Sequence, residues 1–277
     1  MKPIDVLSRH GSSFYLASRL LRPADARDIT VLYAACRMID DLADEGHHEP
    51  EVLQQITTAL RQRDLEAIPV DGFAEMVERR QLDLVPLITL ASRAAREAET
   101  TELVADEEAL LDYCYDVAGT VGELMCPLIG ANEASARGPA TALGIGMQLT
   151  NIARDVLEDA QRGRRYLPGT WVAHLSAQTI AEARSDDLEL VQRAIGKTVR
   201  LAESYYCRAD ENMSLIPFRN RQAIRIAARL YRAIGLRVLD QGCRYWEGRV
   251  SLSSRERISL ALRTLFGPGY LSPPQGA

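Results

Sequence analysis

Two stretches of this 277-residue chain place carboxylates where helical spacing would turn them inward. The first is Cys36-Arg37-Met38-Ile39-Asp40-Asp41-Leu42-Ala43-Asp44-Glu45. Ile29, Leu32, Tyr33 and Cys36 lead into it as an apolar helix stripe, and the next step along that stripe reaches Asp40, then Ala43 and Asp44. Asp40 and Asp44 share a face, about 6 Å apart along the axis. Taken alone, such a run reads as a solvated helix end, with Asp41 and Glu45 in water. The second stretch, Gln148 to Asp159, changes that reading. Gln148, Asn151, Asp155 and Asp159 fall within about 80° of one another on a helix. They continue an inward stripe of Ala140, Leu143, Gly144 and Met147.

Inward carboxylates repel and are costly to bury unless a cation meets them. The candidate metal ligands Asp40, Asp44, Asn151, Asp155 and Asp159 offer only oxygen, so a hard cation is expected. Mg²⁺ keeps several waters and takes one or two carboxylates together with a substrate's phosphates. Mn²⁺ would serve in its place. The pattern predicts a diphosphate bridging two acidic helices through metal ions. Arg37, Arg154 and the Arg164-Arg165-Tyr166 run supply guanidiniums to clamp its oxygens. Lys2 and Lys197 are the only lysines, and compositional bias accounts for that imbalance.

These residues need helices to carry them. Helical periodicity predicts segments at about 11–22, 24–45, 50–63, 70–80, 83–97, 106–129, 135–161, 178–213 and 218–241, and a shorter one near 253–265. Breaks are expected at Gly46–Pro50, Gly130–Asn132 and Gly163–Gly169. No linker or repeat divides the chain. It reads as one all-α domain, residues 1–277, with a frayed Gly/Pro tail from about 267, forming an antiparallel bundle around a central cavity. The composition is that of a globular protein, 47% hydrophobic and 26% charged. A net charge of −5 argues against nucleic acid as a partner. The five scattered cysteines read as reduced and mostly buried. The opening residues show no apolar core of a secretion signal, and no run is long enough to span a bilayer. A cytoplasmic protein is expected, with any membrane contact peripheral, at the inner face. Ala118-Gly119-Thr120-Val121-Gly122 reads two compatible ways: small residues opening a cavity wall at a kink, with Pro127 adding a break, or close helix packing.

The chain resembles the squalene/phytoene synthase family, the head-to-head prenyl synthases, along almost its whole length. The resemblance is carried by His10-Gly11-Ser12-Ser13-Phe14, Leu32 to Arg37 leading into Asp40–Asp44, Tyr113 to Gly122, and above all Gln148 to Asp159 continuing to Gly163-Arg164-Arg165-Tyr166-Leu167-Pro168. It implies an isoprenoid-synthase helical bundle with metal-binding pairs Asp40/Asp44 and Asp155/Asp159. It implies diphosphate contacts at His10, Ser12, Arg37, Tyr113, Gln148, Asn151, Arg154, Arg164, Tyr166 and Tyr231. Arg249 joins them, although its spacing from Tyr231 departs from the family pattern by one residue. Phe14, Ser18, Thr30, Val117, Ala118, Gly119, Val121, Gly122 and Met147 would line the tail pocket.

In that family a cyclopropylcarbinyl diphosphate forms first, and a second ionisation rearranges it. Members that use C15 substrates place bulky aromatics at two pocket positions, and the matching positions here are Ser18 and Thr30. Small side chains there leave room for C20 tails, so the resemblance implies geranylgeranyl diphosphate as substrate and phytoene as product, without NADPH, and a desaturase acting downstream. The alternatives are C15 products (presqualene diphosphate, squalene, dehydrosqualene) and a non-enzymatic assembly or lipid-binding relative. Intact acidic pairs weigh against the last. The DxxxD spacing of Asp155 and Asp159 weighs against head-to-tail synthases and terpene cyclases.

Overall fold

The computed structural model describes residues 18–44, 50–99, 104–132 and 134–266, and contains no strand among them. Twelve helices are described: α1 (Pro23–Asp44), α2 (Pro50–Arg61), α3 (Phe73–Arg80), α4 (Val85–Glu99), α5 (Glu107–Cys114), α6 (Thr120–Ile129), α7 (Arg137–Arg154), α8 (Val156–Gln161), α9 (Ala177–Glu182), α10 (Ser185–Asp210), α11 (Phe218–Asp240) and α12 (Ser254–Phe266). Their ends follow local chemistry. Proline opens α1 and α2, where its missing N–H costs nothing. Asp106 and Ser176 cap α5 and α9 by accepting from Ala109 N and Thr179 N. Gly130, at φ 77°, turns the chain out of α6.

Several expected helices are interrupted. The 106–129 segment contains a π-helical turn at Tyr115–Gly119, closed by Thr120 N–H donating to Tyr115 O. The 135–161 segment breaks at Asp155, and 178–213 breaks at Ala183, whose φ of 48° is left-handed. Periodicity carries across such short breaks, so the sequence pattern conceals them. Of the expected 11–22 helix only 18–22 are described, where the chain turns with Leu21 N–H on Ser18 O. His10, Ser12, Phe14 and the tail lie outside the described residues, as does the side chain of Asp44.

α7 is the central rod, packed on α6, α10 and α11. A Cβ on Gly122 would lie 2.2 Å from Ala140 O, and one on Gly144 would lie 2.1 Å from Ala118 O. The two crossings pair 118 with 144 and 122 with 140, so the α6 segment runs antiparallel to α7. On the other side Gly146 abuts Ala202, and Thr150 shares a hydrogen bond of 2.9 Å with the buried Tyr206 hydroxyl. Far from the acidic clusters, a buried ionic network ties α1 to α3 and α11. Asp28 accepts from Arg79 Nη2 at 2.7 Å and Arg80 Nε at 2.6 Å, and Asn220 Nδ2 donates to Asp25 at 2.7 Å. Burial alone would raise the Asp28 carboxyl, but the Arg79 and Arg80 hydrogen bonds hold it below its ordinary value. All five cysteines are free, and all but Cys207 are buried. Among the described residues no helix is long and apolar enough to cross a membrane.

Candidate active site

The helices enclose a cavity of about 900 Å³, within the range of ligand pockets. The face that α1 turns to it is the stripe read from sequence, Ile29, Leu32, Tyr33, Cys36, Asp40 and Ala43, with Arg37 beside it. α7 and α8 contribute Met147, Gln148, Asn151, Arg154, Asp155 and Asp159. The break at Asp155 (φ −103°, ψ 13°) leaves this ridge intact. Asp155 N–H still donates to Asn151 O, and Asp159 N–H to Asp155 O, each at 2.9 Å. Arg164, Tyr166, Tyr113, Tyr231 and Arg249 complete the polar end. Val117, Ala118, Val121 and Gly122 form a wall, and Ser18, Ala136, Ala209 and Met213 lie at the opposite end, where α7 begins and α10 finishes.

Two expected lining residues do not line the cavity. Thr30 is buried, with its hydroxyl donating 2.6 Å to Ala26 O; the helical phase of α1 presents Ile29 instead. Gly119 faces the helix contact, where an added Cβ would meet Tyr115 at 2.9 Å and Thr141 at 3.1 Å. Of the two readings of the glycine segment, packing is what both glycines answer to, and Gly122 borders the cavity as well.

The polar end is dense with charge. Arg154 Nε donates to Asp155 Oδ1 at 2.7 Å, and Arg249 Nε approaches the same oxygen to 2.9 Å from ninety-four residues away. Arg37 pairs with Asp41, and Arg164 Nη2 donates to Ala43 O at 3.1 Å, bridging the loop after α8 to the end of α1. Burial would lower the Arg37 and Arg154 guanidinium pKa values, but neighbouring carboxylates more than restore them, so both stay charged. Asn151 Nδ2 donates to Gln148 Oε1 at 3.2 Å, while the buried Asn151 Oδ1 has no hydrogen-bond donor among the described residues. That oxygen, aligned with Asp155 and Asp159, suits a hard cation. Even so, no group of three or more His, Cys, Asp or Glu side chains among the described residues is placed to hold a metal unaided. A donor set of this kind fits an ion that brings phosphate oxygens with it.

Aromatic residues border this charge. Tyr113 and Tyr166 stack at 4.7 Å between centroids, with the Arg93 guanidinium 4.9 Å from the Tyr113 ring. Tyr166 Oη donates to Glu97 Oε1 at 3.3 Å. Burial pushes the Tyr33 phenol up to about 12 and raises those of Tyr113, Tyr166 and Tyr231, so all four remain neutral hydrogen-bond donors at physiological pH. Arg93 and Glu97 are absent from the residues expected at the site, and Tyr33 enters the sequence reading only as part of the α1 stripe. Glu97 had a readable signal: with Leu90 and Ala94 it continues an inward stripe of α4, as Asp40 does on α1.

An apolar chamber with guanidiniums, phenols and carboxylates gathered at one end suits an anionic head group on a hydrocarbon tail. That is the site of an isoprenoid-handling enzyme on an all-helical bundle. The family model described as squalene/phytoene synthase matches residues 7–256. The 15-cis-phytoene synthase of Enterobacter agglomerans is 33% identical over 265 residues, spanning 90% of this chain and 88% of that protein. The protein of the same name from a Paracoccus species is 33% identical over 275 residues, spanning 92% of this chain and 87% of its own. A crystal structure of a dehydrosqualene synthase in complex with ligand superposes with a TM-score of 0.82 at 28% identity, covering 95% of this chain and 94% of that one. The chain belongs to the squalene/phytoene synthase family and is a prenyltransferase of that group.

Proposed function

We propose that this enzyme joins two geranylgeranyl diphosphates head to head, through a cyclopropylcarbinyl (prephytoene) diphosphate, to give phytoene and two diphosphates. The observation that carries this reading is the polarity of one continuous chamber: charged side chains gathered at one end, and a long apolar remainder that reaches Ser18, Ala136, Ala209 and Met213. Between Asp155 and Ala136, both on the wall, α7 runs about 28 Å at 1.5 Å per residue, enough for an extended C20 tail. The 15-cis-phytoene synthases among its relatives support the same product.

Asp40, Asn151, Asp155 and Asp159 would hold Mg²⁺ or Mn²⁺, with Asp44 one turn beyond Asp40. Bound with the diphosphate, the ion would offset the charge that develops as the C–O bond breaks. Arg37, Arg154, Arg164 and Arg249 neutralise and orient the departing group, an arrangement effective because it is fixed before reaction. Tyr113, Tyr166 and Tyr231 donate hydrogen bonds without adding negative charge beside a carbocation. The apolar wall from Val117 to Gly122 and Met147 keeps water from the cationic carbons. The two joined carbons enter as CH₂ groups and leave double-bonded to each other, each having lost one proton, so no reductant such as NADPH is consumed. The product would pass to a desaturase.

The test is incubation of purified protein and Mg²⁺ with C15 and with C20 diphosphates, with and without NADPH, and identification of the hydrocarbon by mass. Phytoene from C20 without NADPH is expected. A C15-derived product alone, or no hydrocarbon from either substrate, overturns the reading.

A further inference from the structure

The outer face of α12 departs from the usual polar exterior of a surface helix. Its inner side sets Leu260, Ala261, Thr264 and Leu265 toward the body of the protein, where α12 packs on α11. Its outer side would ordinarily be hydrophilic, yet Ile258, Leu262 and Phe266 are 53%, 51% and 86% exposed. Successive four-residue steps keep these three within about 80° of arc, one continuous stripe. Arg255 and Arg263 are exposed on the same side, and the one acidic residue of the helix, Glu256, is engaged by Arg237 and Ser253. The face is locally cationic on a chain whose net charge is −5.

We propose that this face docks on an anionic lipid surface, its three apolar side chains entering the headgroup boundary and its arginines pairing with lipid phosphates. A basic, apolar-striped helix is complementary to such a surface, whereas a second copy meeting the same face across a two-fold axis would set arginine against arginine. The placement supports it. Val250 and Leu252, which lead into α12, and Arg257 in its first turn line the chamber, and Arg249 beside them meets Asp155. Docking through α12 therefore brings the segment that borders the chamber close to the bilayer. The use of this arrangement, loading prenyl tails and releasing a water-insoluble hydrocarbon, rests on the proposed reaction; the docking itself does not require it.

The experiment is co-sedimentation of the full chain, without substrate, with vesicles of phosphatidylcholine alone and of phosphatidylcholine mixed with phosphatidylglycerol. Binding to the mixed vesicles that weakens with salt is expected. Leu262→Glu combined with Phe266→Glu should lower it at least about tenfold. Arg255→Gln and Arg263→Gln should each lower it about fivefold on the anionic vesicles only. Turnover of the same variants on detergent-dispersed C20 diphosphate should stay at the wild-type level. Wild-type protein left in the supernatant with both vesicle types overturns the proposal. So does a double variant that sediments like wild type, or one that converts a dimer to a monomer without changing vesicle binding. Because binding is read without substrate, its failure leaves the proposed reaction standing.

Discussion

Arg249 and Asp155 meet across the polar end of the chamber, Nε 2.9 Å from Oδ1, while Arg154 holds the same carboxylate from its own helix. Asp155 is thus paired with two guanidiniums, and a metal ion bound there would have to compete with them. Arg249→Ala should lower kcat/KM for the diphosphate substrate about 10- to 100-fold and also lower the Mg²⁺ concentration giving half-maximal rate. The melting temperature should barely move, since an exposed ion pair contributes about 0–1 kcal/mol. Steady-state kinetics over a Mg²⁺ series, with a thermal melt, checks all three.

Asp40→Ala should retain the fold and lose at least about two orders of magnitude in turnover at saturating Mg²⁺, the scale of removing a group that supports charge in the transition state. Asp155→Ala should lose as much activity and also melt earlier, because Arg154, with a side chain 11% exposed, is left without its carboxylate. Near-wild-type rates in either variant would contradict the assigned roles.

The close crossing of α6 and α7 depends on missing side chains. A methyl at Gly122 or Gly144 would meet backbone within 2.2 Å, so Gly122→Ala and Gly144→Ala should each destabilise by about 1–3 kcal/mol or more. Gly138→Ala, with nothing within 4 Å of its added Cβ, should be neutral or mildly stabilising. Denaturant melts of the three variants separate the cases.

Alkaline pH should weaken the fold by a route set at the cavity. Burial raises the phenols of Tyr33, Tyr113, Tyr166, Tyr206 and Tyr231 above the unfolded value near 10. The folded state therefore holds protons that the unfolded chain releases, and stability falls as pH rises past about 10. Melts between pH 8 and 12, followed alongside phenolate absorbance, should show tyrosine ionisation lagging until unfolding. Early ionisation of these phenols in the folded protein would contradict the assignment.

Ser18 lines the end of the chamber opposite the charged cluster, where a bulkier side chain would shorten the space for a tail. Ser18→Phe should shift preference from C20 toward C15 diphosphate by about tenfold or more, as expected when several methylenes of pocket are lost. An unchanged product ratio in mixed-substrate assays would remove Ser18 from the depth-setting residues. The same substitution logic does not apply at Thr30, which is sealed inside the helix packing.

The all-helical class, the inward stripe from Ile29 to Asp40 and the shared face of Gln148, Asn151, Asp155 and Asp159 are legible in the amino-acid sequence. Helical periodicity is a local property, and a stripe that changes from apolar to acidic records which side faces the interior. Which turn of each stripe meets the chamber depends on helix phase and crossing, and those are settled between elements remote in sequence. Tertiary structure alone turns Thr30 away from the chamber, presses Gly122 and Gly144 against opposing backbone, and gathers Arg93 and Glu97 around the Tyr113–Tyr166 stack. It also carries Arg249 to Asp155, because a contact across ninety-four residues is made by the packing of rods, which no spacing within one rod encodes.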